Sequence, residues 1–478
     1  MTTSAPQVTR ASVGLRSERG PVLLALMITT GLIALEATVL ATAVPGIVRD
    51  LGGFGQFPWL FSVYLLAQAV TVPIYGRLAD VFGRKRIILF GIALFLIGSI
   101  LCGVAWNMLT LILFRAIQGL GAGAVAPMAI TIAGDIYTLA ERAKVQGYMA
   151  GMWALASVVG PVIGGVFSDL DAWRWIFAIN IPLCLFAAWL IARNFHEKVE
   201  TREQRIDFAG AILIAGGSAL LILGLLEGGQ AWPWISLPSI SVFAIAIAML
   251  VAFVLVERRV GQPIVPLWLF QRRVLLSTSL VALGVGAILL GLSSYVPTFG
   301  QGVLGSSALL AGFAIAALTL GWPVAASNAG RVYLRIGFRG TALIGSVFVI
   351  GGNALNLLLG TDSQLWQVAM NCTIIGLGMG FVASPALIAA QSSVQWGERG
   401  VVTAGNIFAR NIGSAVGVAV FGAIVNASVG GTDRPSASAL AAGIHWVFLA
   451  LFILSLGVLA AVACMPGRST PAEVQRPA

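Results

Sequence analysis

GRLADVFGRKR, residues 76–86, sets two glycines, an aspartate and the basic side chains Arg77, Arg84, Lys85 and Arg86 between two long apolar runs. A bend with that much charge has no place in hydrocarbon, where charged and unsatisfied groups are costly. It reads as a tight turn in water that joins two membrane-crossing helices. The turn falls on the cytoplasmic side, where Lys and Arg accumulate.

The rest of the chain agrees with a membrane setting. Of its 478 residues 58% are hydrophobic and 10% charged, which excludes a soluble globular domain of this length. The net charge of +10 is not a nucleic-acid signature, because the basic residues sit in loops and form no basic helix. Fourteen apolar stretches approach the ~20 residues a helix needs to cross a bilayer. They are 21–47, 58–75, 86–105, 107–131, 146–168, 175–193, 208–227, 235–256, 275–299, 307–328, 341–360, 365–390, 401–426 and 443–465. The first is too long for a signal-peptide core and reads as a retained helix.

Most of the 28 basic residues fall in the termini and alternate loops on one side, against Arg49, Arg174 and Arg434 on the other. That asymmetry predicts both termini in the cytoplasm. The segment GRVYLRIG at 330–337 repeats the glycine spacing of GRLADVFG at 76–83, with Leu334 in place of Asp80. Repeated six-helix halves place a substrate site near the bilayer midplane between them. The expected layout is a leader at 1–20, a first half at 21–195, a linker at 196–207, an inserted helix pair at 208–256, a second linker at 257–274, a second half at 275–465 and a tail at 466–478.

The chain has four scattered cysteines with no paired spacing, so neither a disulfide framework nor a metal site is expected. No phosphate-binding GxxxxGK[ST] run occurs, so ATP is not expected to drive the protein. The energy would come from an ion gradient or from the substrate's own.

Two charges lie deep in spans. Arg115, in LILFRAIQGLGAGA at 111–124, is roughly 12 Å from the nearer helix end, and Glu36 on the first span is roughly 15 Å from the same side. Comparable depth suggests a pair, with Gln118 one turn from Arg115 sharing its hydrogen bonds. Apolar surroundings favour a neutral carboxyl and a nearby arginine favours a charged one, so the opposed effects permit a proton site that switches. The fifth span carries ASVVGPVIGG at 156–165, where Gly160 and Gly164 make a smooth face and Pro161 bends the helix. Arg410 lies roughly 14 Å inside its span with no intramembrane acid to pair with.

Gly76, Leu78, Ala79, Asp80, Gly83, Arg84 and Lys85 fall on the spacing of the signature loop of the major facilitator superfamily. Leu111, Arg115, Gln118, Gly119, Gly121 and Ala124 match that superfamily's LxxxRxxQGxGaA pattern. ASVVGPVIGG resembles its antiporter motif, with Ala156 for the first glycine. With WRWIFAINIP at 173–182 and the fourteen spans, the chain resembles the drug:proton antiporter family with fourteen helices. It departs at Glu36, where aspartate is usual, and at Ala41, where asparagine is common.

The resemblance implies an all-helical facilitator fold of two six-helix halves plus an inserted pair. It implies alternating access, with protons as the coupling ion and no other cofactor, and export of drugs or toxic amphipathic metabolites across the inner membrane. Glu36, Arg115 and Gln118 would form the proton and substrate site, and Gly76, Asp80, Gly83, Arg84 and Lys85 the cytoplasmic gating loop, with Asp80 as its latch. Gly160, Pro161, Gly164 and Gly165 would seal the inner route. Tyr64, Trp153, Tyr295, Phe299, Phe381 and Arg410 are candidates for a cavity wall. The expected partners are small lipophilic substrates and membrane lipid, with the protein a monomer. A dedicated exporter of one lipid, siderophore or antibiotic fits the same residues, and an importer fits less well. A membrane-embedded enzyme lacks a catalytic constellation.

Overall fold

The structure is a computed structural model that describes residues 14–137, 139–197, 207–229, 231–260, 268–394, 399–430 and 435–466. Among the described residues it is helical throughout. In chain order the helices are α1 (Gly20–Leu51), α2 (Pro58–Phe82), α3 (Arg84–Gly103), α4 (Met108–Ile136), α5 (Leu139–Asp169), α6 (Trp175–Ala178), α7 (Asn180–Asn194), α8 (Phe208–Glu227), α9 (Leu237–Glu257), α10 (Trp268–Gln271), α11 (Arg273–Gly302), α12 (Ala308–Asn356), α13 (Leu365–Ser392), α14 (Arg399–Val429) and α15 (Ala437–Ala463). Among the described residues thirteen helical stretches are long and apolar enough to cross a membrane.

Local chemistry sets the boundaries. Asn107 opens α4 with a capping box, accepting from the Thr110 amide at 2.8 Å while the Thr110 hydroxyl approaches the Asn107 amide. Ser236, Ser307 and Ser436 cap α9, α12 and α15 in the same manner. The turn expected over 76–86 is far shorter than the charge pattern suggested. α2 runs on to Phe82 and α3 begins at Arg84, so only Gly83 breaks the helix, at φ 90°. The charged residues extend the helices beyond the apolar span instead of forming a loop. Gly337 repeats the break at φ 80°, inside the 49-residue α12. A straight helix of that length would measure roughly 74 Å, well over twice the ~30 Å hydrocarbon core. The glycine divides it into two segments of crossing length. Both glycines adopt a conformation that side-chain-bearing residues avoid.

The helices gather in two groups. α1 packs on α4, α5 and α7, while α4 also lies against α2 and α3. In the second group α11 packs on α14 and α15, and α12 on α13 and α15. Glycines set the close approaches at equivalent places in both. A methyl on Gly119 of α4 would lie 2.4 Å from the Tyr64 carbonyl oxygen, and one on Gly376 of α13 would lie 2.1 Å from that of Leu318. Likewise a methyl on Gly121 would lie 2.3 Å from the Phe95 amide nitrogen, and one on Gly378 would lie 2.8 Å from that of Val349. The contacted residues count alike in the two groups: Tyr64 and Leu318 stand equally far before, and Phe95 and Val349 equally far after, the helix-breaking glycine of their own group, so the repeat extends well beyond the eight-residue motif.

The groups meet along α5–α12, α2–α14 and α1–α11. Their side-chain ties cluster at the end of the bundle where α1 finishes, here termed the far end. Asp169 accepts from the Ala308 and Leu309 amides at 2.9 and 3.3 Å. Asn426 donates to the Gly55 carbonyl at 2.8 Å, and Gln301 to that of Thr42 at 3.3 Å. Phe57 of the first group meets Tyr295 edge-on with centroids 5.6 Å apart, and Tyr295 in turn meets Phe421. Of the inserted pair, α8 is not peripheral: its Ile222 and Leu226 pack with Leu66 and Val70 of α2 and with Ala415 and Ala419 of α14, across the seam, while α9 packs on α8.

Candidate functional site

Glu36 sits near the middle of α1 and Arg115 inside α4, and the structure brings them together as a buried ion pair, with residue exposures of 5% and 1%. Arg115 is held on every side. Its Nη1 donates both to Glu36 Oε1 and, at 2.7 Å, to Gln118 Oε1. Its Nε donates to the Leu60 carbonyl of α2 at 3.1 Å, and its guanidinium lies 4.2 Å from the Tyr64 ring centroid. A lone buried charge is prohibitive in such a place, whereas a paired and hydrogen-bonded one is tolerable.

Two further residues complete the arrangement. Asn180, first residue of α7, donates through Nδ2 to Glu36 Oε2 at 2.9 Å and to Ser99 Oγ at 2.7 Å. Ser99, on α3, also accepts from Gln118 Nε2 at 2.9 Å. The result is a closed circuit, Glu36–Arg115–Gln118–Ser99–Asn180 and back to Glu36, drawn from α1, α4, α3 and α7. All five side chains are buried. Ion pair and amides therefore sit in a dry environment where each hydrogen bond is strengthened and each loss is costly. A carboxylate held by a cation at one oxygen and a neutral amide at the other can accept a proton at the second without first leaving the cation.

The sequence expectation missed Ser99 and Asn180. Asn180 lies within WRWIFAINIP, and the structure shows how that motif aims it. Trp173 Nε1 and Arg174 Nη1 both donate to Asp50 at the end of α1, at 3.1 and 2.6 Å, fixing the start of α6 and α7 against α1. Ser99 gave no signal, because a single serine in an apolar helix is unremarkable until its partners are known.

The remaining predicted residues are distributed elsewhere. Arg84 pairs with Asp135 of α4 and with Glu197, each at 3.1 Å, and the Lys85 amide donates to Glu197 at 3.0 Å. Gly83 provides the break between α2 and α3, and Gly76 has open space beside it. The Asp80 side chain lies outside the described residues. Methyls on Gly160 and Gly164 would meet Thr38 Oγ1 at 2.0 Å and the Val39 carbonyl oxygen at 2.3 Å, so this face of α5 seats α1. A methyl on Gly165 would lie 2.6 Å from Leu309 Cα, and one on Gly312 would lie 2.7 Å from the Pro161 carbonyl oxygen. These contacts with α12 lie toward the far end, away from the arginine-rich turns.

The candidate cavity wall divides. Tyr295 and Phe299 are fully packed in the far-end aromatic cluster, Phe299 against Phe448 at 5.7 Å, and they line no opening here. Tyr64 is buried beneath Arg115. Trp153 is 40% exposed, and Phe381 and Arg410 are half-buried. Glu227 ends α8 and accepts from Trp59 Nε1 at 3.1 Å, and it is not a member of the circuit.

Two helix-breaking glycines in register, a buried acid–arginine pair and glycine-lined contacts repeated in two helix groups describe a membrane carrier. The family model for the Major Facilitator Superfamily matches residues 26–418. The chain belongs to that superfamily. It is thus a multi-pass membrane transporter and not an enzyme. It is 36% identical to Multidrug resistance protein 3 of Bacillus subtilis (strain 168), over 84% of this chain and 79% of that one. It is also 36% identical to Multidrug transporter protein MdtP of the same organism, over 88% and 78%. Among solved structures it resembles a bacterial homologue of the human lysosomal transporter Spinster, with TM-score 0.70, 19% identity and 95% and 99% of the two chains covered. That likeness concerns the fold. The relatives' names place drug transport in the same lineage.

Proposed function

We propose that this facilitator is a proton-coupled antiporter that exports lipophilic drugs or amphipathic metabolites, working as a monomer with fourteen crossings and both termini in the cytoplasm. The observation that carries the reading is the buried Glu36–Arg115 pair, closed into a circuit with Gln118, Ser99 and Asn180. An ionisable pair inside a membrane bundle costs stability and marks a coupling site in preference to a structural one. The relatives named as multidrug transporters supply the substrate class.

In the cycle, Glu36 takes a proton while the far end is open, and the bundle then turns to face the cytoplasm. Substrate captured there displaces the proton, and the loaded carrier turns back. Exchange arises because proton and substrate compete for one state of one site.

Glu36→Gln tests this directly. It keeps the shape of the side chain and removes the titrating group, so substrate-induced proton release from purified protein should vanish while the variant remains monodisperse. Undiminished release would remove Glu36 from the mechanism.

A further inference from the structure

We infer that Asn180, with Ser99 behind it, is the positioning element that reads the protonation state of Glu36 and passes it from α1 to α3 and α7. The inference rests on Glu36 being the proton site and goes beyond it by assigning the group that senses the change. Glu36 Oε1 faces a permanent cation, so Oε2 is where a proton is gained or lost. Asn180 is the described side chain hydrogen-bonded to that oxygen.

An amide suits this place because it has two faces. With Glu36 ionised, the Asn180 amide sends its two hydrogens to Glu36 Oε2 and to Ser99 Oγ, as the structure shows. With a proton on Oε2, that donor would confront a second donor. Turning the amide over places Oδ1 where Nδ2 was, so Oδ1 accepts from the new carboxylic O–H. Ser99 answers by rotating its hydroxyl. Its two bonds in the structure are both accepted, from Asn180 and from Gln118, so its own proton is free to swing toward Asn180 Oδ1 while Oγ keeps the Gln118 bond. Each protonation state thereby has a hydrogen-bonded arrangement, and the two differ in the bond linking α7 to α3.

The surroundings leave this assignment to the pair. The other ionisable groups around Glu36 are Arg115 of α4, the Tyr64 phenol of α2, and the Cys102 and Cys184 thiols of α3 and α7. The helices of the α1 interface that remain, α5, α11 and α12, contribute no ionisable side chain over 149–168, 275–294 and 308–329. Asn180 is itself pinned at the start of α7, below the Trp173–Asp50–Arg174 clamp, so a turn of its amide is not absorbed by backbone slack.

The test is the pH profile of proton release, in purified full-length protein, on adding rhodamine 6G as the probe. Asn180→Ala removes a donor from the ionised state and only an acceptor from the neutral one. A hydrogen bond to a charged group is the stronger of the two, so the release midpoint should move up by about one pH unit. Asn180→Asp, which conserves volume, sets a second carboxyl beside the first and should move it further the same way. The titration of the protonated carboxyl C=O band by infrared difference spectroscopy, without probe, reads the same shift if a variant binds poorly. Unchanged midpoints in both variants, with release intact, overturn the inference. Persistent release in Glu36→Gln would instead overturn the proton site, so the two failures are distinguishable.

Discussion

Asp169→Ala should loosen the far-end seam, and the structure sets the size of the effect. The carboxylate at the end of α5 accepts from the Ala308 and Leu309 amides, the first orphan donors of α12, and so caps a helix of the opposite group. A cap contributes about 0.5–2 kcal/mol, and a carboxylate at a helix N-terminus about 0.3–1 kcal/mol more. Asp169 is exposed and the Leu309 contact is long, so screening brings the total to the low end, about 1 kcal/mol. Because the cap exists only while the groups meet at this end, its loss should favour the far-end-open population by roughly fivefold. Spin labels at Leu170 and Leu358, both exposed at the far end, would report it as growth of the longer-distance population. Ser307→Ala serves as the control, since it removes a cap of the same helix without crossing the seam. An unchanged distance distribution in Asp169→Ala, or an equal shift in Ser307→Ala, would refute the idea that this carboxylate ties the groups together.

Gly164→Leu should cost at least about 1–3 kcal/mol of overpacking, because its Cβ alone would lie 2.3 Å from the Val39 carbonyl oxygen, whereas Gly151→Leu on the same helix, with open space beside it, should be nearly neutral in a thermal-unfolding assay. Monocationic dyes should be exported in preference to dicationic ones of similar lipophilicity, since Glu36 is the acid of the circuit and Arg115 already occupies it; paired resistance assays showing the reverse would place the substrate elsewhere.

How much the sequence disclosed depends on the kind of residue. Glycine at a forced backbone angle and charge in hydrocarbon leave marks in one dimension, so the breaks at Gly83 and Gly337 and the Glu36–Arg115–Gln118 cluster were legible. Ser99 and Asn180 were not. Their function comes from partners on other helices, and neither is chemically out of place in an apolar stretch. The extent of the turn at 76–86 was misjudged for a related reason: charge reports contact with water, not the end of a helix, and α2 carries its charged residues past the membrane in helical form.

The repeat itself explains why the chemistry is lopsided. The close-approach glycines recur in both groups, at Gly119 and Gly376 and at Gly121 and Gly378, so the scaffold geometry is shared. The polar circuit is not. Aligned on those close-approach glycines, Gln118 corresponds to Ile375 and Arg115 to Cys372; aligned on the helix-breaking glycines, Tyr64 corresponds to Leu318 and Ser99 to Asn353, which bonds back to the Val349 carbonyl of its own helix. A second acid–arginine pair in the other group would double the cost of burying charge. Confining the ionisable pair to one group lets the other serve as the surface against which it moves. The seam then needs ties that form and break cheaply, and the observed ones fit: an exposed carboxylate on a helix terminus, single amide-to-carbonyl bonds and edge-on aromatic contacts, each worth about 1 kcal/mol. A seam assembled from many weak ties, with the one strong charge pair of the circuit inside a single group, can change state at a cost that the binding of a single ligand can meet.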